Sequence, residues 1–462
     1  MSRQSKNTTP LTTTERKAIT GLASIYGFRM LGLFLILPVF ALYAENLPEA
    51  TPLLIGLAVG VYGLTQAVLQ VPMGLLSDRI GRKPVILGGL VLFAIGSVIA
   101  ALAEDIWMIL LGRAVQGSGA IAAAVMAMAA DLTRDSQRTR AMASIGMTIG
   151  SAFALSLMLG PFLDRTIGLS GIFWLTAALA VLGMLMIVFV VPTPAHQSVH
   201  RDAETVPETL GAVLKNPELL RLDWGIFSLH LILTAVFLAV PLELRDLGLA
   251  LTDHSYLYLA VLISSIVMMV PFIIIAEKHG KMKTVFSGGI LVISLSMVLL
   301  YSGASSWLWL GVFLALFFTG FNLLEALLPS LISKTAPAAA KGTAMGVYST
   351  SQFMGGFLGG LSGGAVHQLV GQQGVFLVCL VVAIVWFVVA LTMKHPGRYS
   401  SRVVDLKGVA AESLDEVSAK LSALSGVGEA VVIPAESVAY LKVDRRQLNE
   451  DDLQALLLEV KA

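Results

Sequence analysis

Apolar residues fill most of this chain in stretches of about 20, the length that crosses a bilayer as an α-helix, and short polar gaps separate them. Six stretches fall near 18–44, 53–77, 85–103, 105–130, 140–163 and 171–191. Six more fall near 221–245, 253–277, 284–302, 306–334, 340–368 and 373–393. The pattern predicts an all-α membrane fold of twelve transmembrane helices in two pseudo-symmetric six-helix halves, 1–191 and 221–396, joined by a polar linker over 192–220. Beyond 396 it changes to short runs: strand Val403–Leu406, helix Ser413–Leu424, strand Ala430–Ile433, strand Val438–Val443 and helix Asp451–Val460. That β-α-β-β-α order predicts a small α+β ferredoxin-like domain over 397–462 without its last strand. A missing strand leaves an open sheet edge, to be completed by a partner or left three-stranded.

Positive charge assigns the sides. Arg3, Lys6, Arg16 and Lys17 precede the first stretch. Alternate gaps then hold Arg79, Arg82 and Lys83; Arg134, Arg138 and Arg140; Arg201, Lys215 and Arg221; Lys278, Lys281 and Lys283; and Lys334 and Lys341. The opposite gaps hold only Arg165 and Arg245. By the positive-inside rule both termini and the linker are expected in the cytoplasm. The N-terminus is polar and basic without an apolar core and cleavage site, so no secretory signal is expected.

Composition narrows the function. Of 462 residues 56% are hydrophobic and 13% charged, against about a quarter charged in a soluble domain. The balance of 31 basic and 30 acidic residues argues against a nucleic-acid partner. The single cysteine, Cys379, lies in the last apolar stretch and reads as packing. It excludes an intramolecular disulfide and a multi-thiolate metal site. Neither a catalytic constellation nor a cofactor motif is present, so no enzyme and no cofactor is expected.

The halves repeat. QVPMGLLSDRIGRKPVILGGL from Gln70 matches MVPFIIIAEKHGKMKTVFSGGI from Met269, aligning Asp78 with Glu277, Gly81 with Gly280 and Arg82 with Lys281. RAMASIG from Arg140 matches TAMGVYS from Thr343. Repeated halves around a central cavity are a secondary-transporter signature. The loop Gly74–Pro84 carries Gly74, Asp78, Arg79, Gly81, Arg82 and Lys83 between two apolar stretches. Its pattern G-x-L-x-D-R-x-G-R-K resembles the signature loop of the major facilitator superfamily, and the degraded second copy fits that family too. Arg113, Gln116 and Gly117 match its R-x-x-Q-G motif. Gly160-Pro161 resembles the end of the antiporter motif, except that Leu163 and Asp164 replace two glycines. The whole chain is similar to the drug–proton antiporter branch with an appended small domain.

The resemblance implies a transporter of the bacterial inner membrane, with a small molecule, protons and lipid as partners and alternating access as mechanism. Proton-driven efflux is expected, with a nutrient symporter or a sensor signalling through the tail as alternatives. In the signature loop, Asp78 is expected to face the N-terminus of the helix starting near 340, where free N–H groups favour a carboxylate. Arg82 is expected to pair with Asp131, and the resemblance makes this network a conformational latch.

Charges within membrane helices usually face a cavity and have a function. Arg29 and Arg113 are such cases, and the resemblance links Arg113 to proton coupling; the alternative is a structural pair with a buried acid or carbonyl. His230 and Glu325 each stand about nine residues above the inner ends of the seventh and tenth helices, roughly 14 Å at 1.5 Å per residue; the resemblance implies that these two helices line a central cavity with the first and fourth, so the pair is able to face each other. A histidine beside a carboxylate changes charge near neutral pH, which makes them the best proton-site pair; two separately satisfied polar groups is the alternative. Asn322, Tyr26, Tyr62, Gln66, Gln116, Phe321 and Gln352 are further cavity candidates. MGGFLGGLSGG from Met354 gives overlapping G-x-x-x-G pairs, suited to close helix packing or sliding. The tail loop KGVAAES lacks the C-x-x-C of ferredoxin-like metal carriers, which leaves regulation or homodimerisation as the domain's use.

Overall fold

The computed structural model describes residues 10–194, 204–394, 399–406, 409, 414–434, 438–444 and 447–461. Arg3, Lys6, Arg201 and all of the KGVAAES loop except Val409 lie outside them. Helix α1 (Thr13–Phe34) starts on a capping box, in which Thr12 and Glu15 satisfy each other's backbone N–H. The first predicted span breaks at Leu35–Val39, around Pro38, before α2 (Phe40–Ala44). Then come α3 (Pro52–Ile80) and α4 (Arg82–Ala101), separated only by Gly81 at φ 102°. Its repeat partner Gly280 also has positive φ, at 69°.

The fourth predicted span is α5 (Ile106–Ser118) plus α6 (Ala122–Asp131), broken where Gly119 meets α4. A Cβ on Gly119 would lie 2.2 Å from the Gly89 carbonyl oxygen. The fifth and sixth spans form α7 (Asp135–Leu185), kinked at Gly168 (φ 68°, ψ 175°) and ending in a π turn, Met186–Val190.

The linker differs from its polar reading. It contains helix α8 (Pro207–Leu214), and α9 (Pro217–Asp246) starts earlier than expected because Asn216 caps it and Pro217 fits its first turn. The second half continues with α10 (Leu251–Lys278), α11 (Met282–Ser302), α12 (Trp307–Thr335), α13 (Lys341–Val370) and α14 (Gln372–Leu391). Among the described residues nine segments are long and apolar enough to cross a membrane by length and composition. Charge-bearing α1 and glycine-rich α13 are not among them, while the kinked α7 counts once.

Packing repeats between halves. The first half pairs α1 with α7, α3 with α5, α4 with α5 and α4 with α7; the second pairs α9 with α13, α10 with α12, α11 with α12 and α11 with α14. The halves meet along α3–α13 and α7–α10. We call the end of the bundle that carries α8 the linker end and the opposite one the far end.

In its far-end half, the α3–α13 seam is backbone against backbone. A Cβ on Gly360 would lie 2.4 Å from the Gly56 carbonyl oxygen, and one on Gly60 2.7 Å from that of Phe357. Gly360→Ala is therefore expected to lower the thermal midpoint in detergent by an overpacking cost of about 1–3 kcal/mol. Gly146→Ala, whose Cβ would meet nothing within 4 Å, is the control. The far end is closed further by an ion pair between Arg245 and Glu45 (2.6 Å) and by Gln368 accepting from Leu53 N–H (3.3 Å). Phe153 of the first half touches Phe321 (5.8 Å) and Phe318 (6.2 Å) of the second.

The tail folds as β1 (Tyr399–Asp405), α15 (Leu414–Ala423), β2 (Val427–Ile433), β3 (Val438–Asp444) and α16 (Glu450–Lys461). Its antiparallel sheet has the order β1-β3-β2, and the alternate residues Ala439, Leu441 and Val443 join a core with Val417, Leu421 and Leu453 from the two helices. The sheet has three strands among the described residues. It docks on the α12–α13 turn: Lys442 Nζ donates to the Thr335 carbonyl (3.2 Å), and Ala338 N–H donates to Glu429 Oε1 (3.4 Å).

Candidate functional site

At the linker end the signature loop gathers around one guanidinium. Arg82, 2% exposed, donates to Asp131 (3.2 Å), Ser77 (2.9 Å), Asp78 and Glu204 (2.9 Å). The expected Arg82–Asp131 pair is present. Asp78 makes no hydrogen bond to the first turn of α13 among the described residues; its partner is Arg82, four residues on, so the expected inter-half contact is replaced by one within the loop. Gly81 provides the positive-φ turn, whereas Gly74 is helical and lets α6 approach, its Cβ position being 3.0 Å from that of Ala123. Arg79 is exposed. Lys83 caps the end of the first half by donating to the Val191 carbonyl (2.6 Å). Lys283 does the same for the second half at Leu391 (3.0 Å) and Met393 (2.5 Å).

Glu204 is a partner the sequence pattern does not flag, because it sits in the polar linker. The linker also reaches the second half: Val206 N–H donates to Thr343 Oγ1 (2.9 Å), and Thr209 shares a hydroxyl contact with Thr343 (2.7 Å). It thus straps the Arg82 cluster to α13.

A second charged contact fixes the start of α1. Arg134 donates to both carboxylate oxygens of Glu15 (2.8 Å each). That interaction, with the Thr12 hydrogen bonds, outweighs burial and holds the Glu15 carboxyl at about 2 instead of 4.5. A depressed carboxylate stabilises the fold fully above its unfolded value and loses that contribution as pH falls through the folded value. The midpoint advantage of the wild type over Glu15→Gln should therefore be full at pH 6 and shrink toward zero as pH drops from about 4.5 to about 2.

Midway through the second half, three helices converge. His230 (α9), Glu325 (α12) and Gln352 (α13) meet, with His230 Nε2 4.0 Å from Glu325 Oε2. Gln352 Nε2 lies 2.8 Å from His230 Nε2 and 3.5 Å from Glu325 Oε1. His230 Nδ1 is 3.3 Å from the Ile226 carbonyl, so a proton on Nδ1 leaves Nε2 to accept from the amide. Phe321 flanks the ring at 6.0 Å. Asn322 is not part of this group; it donates to Ser265 of α10 (3.0 Å), because its position in α12 turns toward the neighbouring helix.

Seven residues before His230, on the same face of α9, lies Asp223, 5% exposed with neither carboxylate oxygen hydrogen-bonded among the described residues. Tyr348 of α13 is within electrostatic reach of both Asp223 and Glu325. The signal for Asp223 is plain in retrospect: an acid two turns inside an apolar helix.

The remaining candidates form a separate cluster inside the first half. Arg29 donates to Gln66 (2.5 Å), which contacts Gln70 (3.5 Å). Arg113 donates to Gln116 (2.8 Å), which donates to Ser97 (2.8 Å). Tyr62 lies between the cations, 5.7 Å from Arg29 and 4.9 Å from Arg113, and Tyr26 is buried in the same core. The cavity roles expected for Gln66, Gln116, Tyr26 and Tyr62 thus meet an enclosed setting, each being under 8% exposed. A small far-end pocket lined by Glu45, Leu238, Leu242 and His367 includes none of the candidates.

Two packed halves of long apolar helices with ionisable groups at depth are the architecture of a polytopic membrane protein. Comparison gives the family: the Major Facilitator Superfamily model matches residues 22–360 and 224–435. The chain belongs to the major facilitator superfamily, whose members are transporters and not enzymes. It is 46% identical over 444 residues to the inner membrane transport protein YajR of Escherichia coli (strain K12), covering 96% of this chain and 98% of that one. It is 26% identical over 347 residues to the multidrug resistance protein MdtH of Aeromonas salmonicida (strain A449), covering 75% and 86%. Its fold is similar to a bacterial homologue of the human lysosomal transporter Spinster in an inward-facing, occupied conformation (TM-score 0.68, 12% identity, 83% and 97% covered). It is also similar to the human organic anion transporter MFSD10 (TM-score 0.60, 19% identity, 82% and 100% covered).

Proposed function

We propose that this protein is a proton-driven exporter of a small molecule in a bacterial inner membrane, working by alternating access with its linker end in the cytoplasm. The observation that carries this reading is the His230–Gln352–Glu325 group, two titratable side chains 4.0 Å apart joined by an amide. Kinship to YajR supports the membrane, and kinship to MdtH supports efflux. The far-end closure, with Phe153 against Phe318 and Phe321, suits a state that loads cargo from the linker end. Protonation of the Glu325–His230 pair then lowers affinity for cargo once the far end opens. Arg29 and Arg113, buried at depth in the first half, bias this step through their fields. The Arg82 cluster and the linker strap act as the latch between states.

The test is a substrate screen in proteoliposomes with an imposed pH gradient. Flux that rises with the gradient for at least one compound is the expected result, and flux of every tested compound indifferent to it would sink proton coupling. The docking of the small domain on the α12–α13 turn favours a regulatory role for that domain alongside transport. Removing 398–462 is the corresponding deletion.

A further inference from the structure

The first-half cluster contains two arginines and no acid. Arg29 and Arg113 are each 1% exposed, and neither forms an ion pair among the described residues; their partners are the amides of Gln66 and Gln116, the Ala58 carbonyl (3.4 Å) and the faces of Tyr62 and Phe93. Nε and Nη1 of Arg29 and the hydroxyl of Tyr62 are buried with no hydrogen-bond acceptor among the described residues.

A buried charge is normally paired, and each unsatisfied donor costs about 1–3 kcal/mol. Two uncompensated cations plus three unmet donors around one tyrosine are therefore a poor structural solution. Two guanidiniums that share a ring, with fork-shaped donors that match a carboxylate or phosphate, are instead the chemistry that holds an anion. The cluster also adjoins the second half. Phe353 of α13 packs on this core, and the preceding residue, Gln352, holds His230 and Glu325.

We infer that Arg29, Arg113 and the Tyr62 hydroxyl form a binding site for a compact anionic head group, carboxylate or phosphate-like. Its role as a cargo site rests on the transport reading; the binding itself does not.

The experiment is titration calorimetry on the purified full-length protein, with sodium benzoate, inorganic phosphate and tetraphenylphosphonium chloride as separate probes. Benzoate or phosphate should bind the wild type, and Arg29→Gln should weaken that binding about tenfold or more. Arg29→Lys, which keeps the charge and loses the fork, should fall between. Binding of benzoate identifies an organic anion as the ligand, and binding of phosphate alone an inorganic one. Arg29→Gln should hold or raise the thermal midpoint, since it removes an uncompensated buried cation. Gly146→Ala, whose Cβ would meet nothing within 4 Å, should bind both anions like the wild type, which ties any loss to the cluster itself. No binding of either anion, anion affinity unchanged in Arg29→Gln, or binding of tetraphenylphosphonium alone would overturn the assignment. A lowered midpoint in Arg29→Gln with anion affinity intact would likewise make Arg29 a structural residue.

Discussion

Glu325→Gln is expected to bring gradient-driven flux down to the level of protein-free vesicles while the protein still folds. Glutamine keeps the size and one oxygen of the side chain, so Gln352 Nε2, now 3.5 Å from Oε1, keeps its acceptor. What is lost is the group able to take and release a proton. His230, 4.0 Å away, loses its titratable partner in the group. His230→Ala should therefore reduce coupling as well, and Gln352→Ala should do so less, because it removes the bridge but neither titratable group. Counterflow exchange of labelled cargo without a gradient is the companion measurement: it should survive in Glu325→Gln, since exchange needs no net proton movement. Gradient-driven flux at the wild-type level in both Glu325→Gln and His230→Ala would remove the pair from the mechanism.

Arg82→Ala is expected to be the most destabilising single change at the linker end. The guanidinium serves Asp78, Asp131 and Glu204, and the side chains of Asp131 and Glu204 are 0% and 6% exposed. Removing one partner of a buried pair costs about 3–5 kcal/mol, because the other charge stays behind. Here two enclosed carboxylates share that cation, and helix α4 also begins at Arg82. Arg82→Lys restores the charge without the fork and should recover only part of the loss. Glu204→Gln, which leaves Arg82 its contacts to Asp78 and Asp131, should be milder. Thermal unfolding in detergent ranks the three, and an Arg82→Ala midpoint within about a degree of wild type would refute the shared-cation account, since about 1 kcal/mol already moves larger domains by 2–4 °C.

Much of this architecture is legible from apolar stretches and from the Gln70/Met269 repeat, because lipid imposes uninterrupted helices and gene-level repetition leaves matching segments. The breaks at Leu35–Val39 and Gly119 are harder to read. Pro38 and Gly119 are compatible with either a kink or a continuous helix, and the Gly89 carbonyl facing Gly119 decides that one. The same limit applies to sites. His230 and Glu325 are found by depth, and their mutual approach by the cavity-lining helices that the family resemblance implies, whereas Gln352 needs the register of α13 to become their bridge. Asn322 fails because helical depth says nothing about which face a side chain takes, and its face belongs to Ser265. Glu204 fails for another reason: a polar linker offers many acids, and only the folded path brings one to Arg82.

The glycine seam between α3 and α13 has a mechanical consequence. Gly56, Gly60 and Gly63 oppose Gly360, Gly364 and the backbones of Phe353 and Phe357, so at those points the surfaces in contact carry no side chains. Parting them there uncovers little apolar area, and the exposed amides are already bonded within their own helices. The seam is therefore suited, under the proposed alternating access, to act as a fulcrum near one end of two long levers. A tilt of about 10° there displaces the opposite tips by roughly 5 Å over a 30 Å arm (20 residues at 1.5 Å each). Under the proposed alternating access, the position of these glycines along α3 and α13, and not any residue of the His230–Glu325 group, fixes the length of the arm on which the linker end swings.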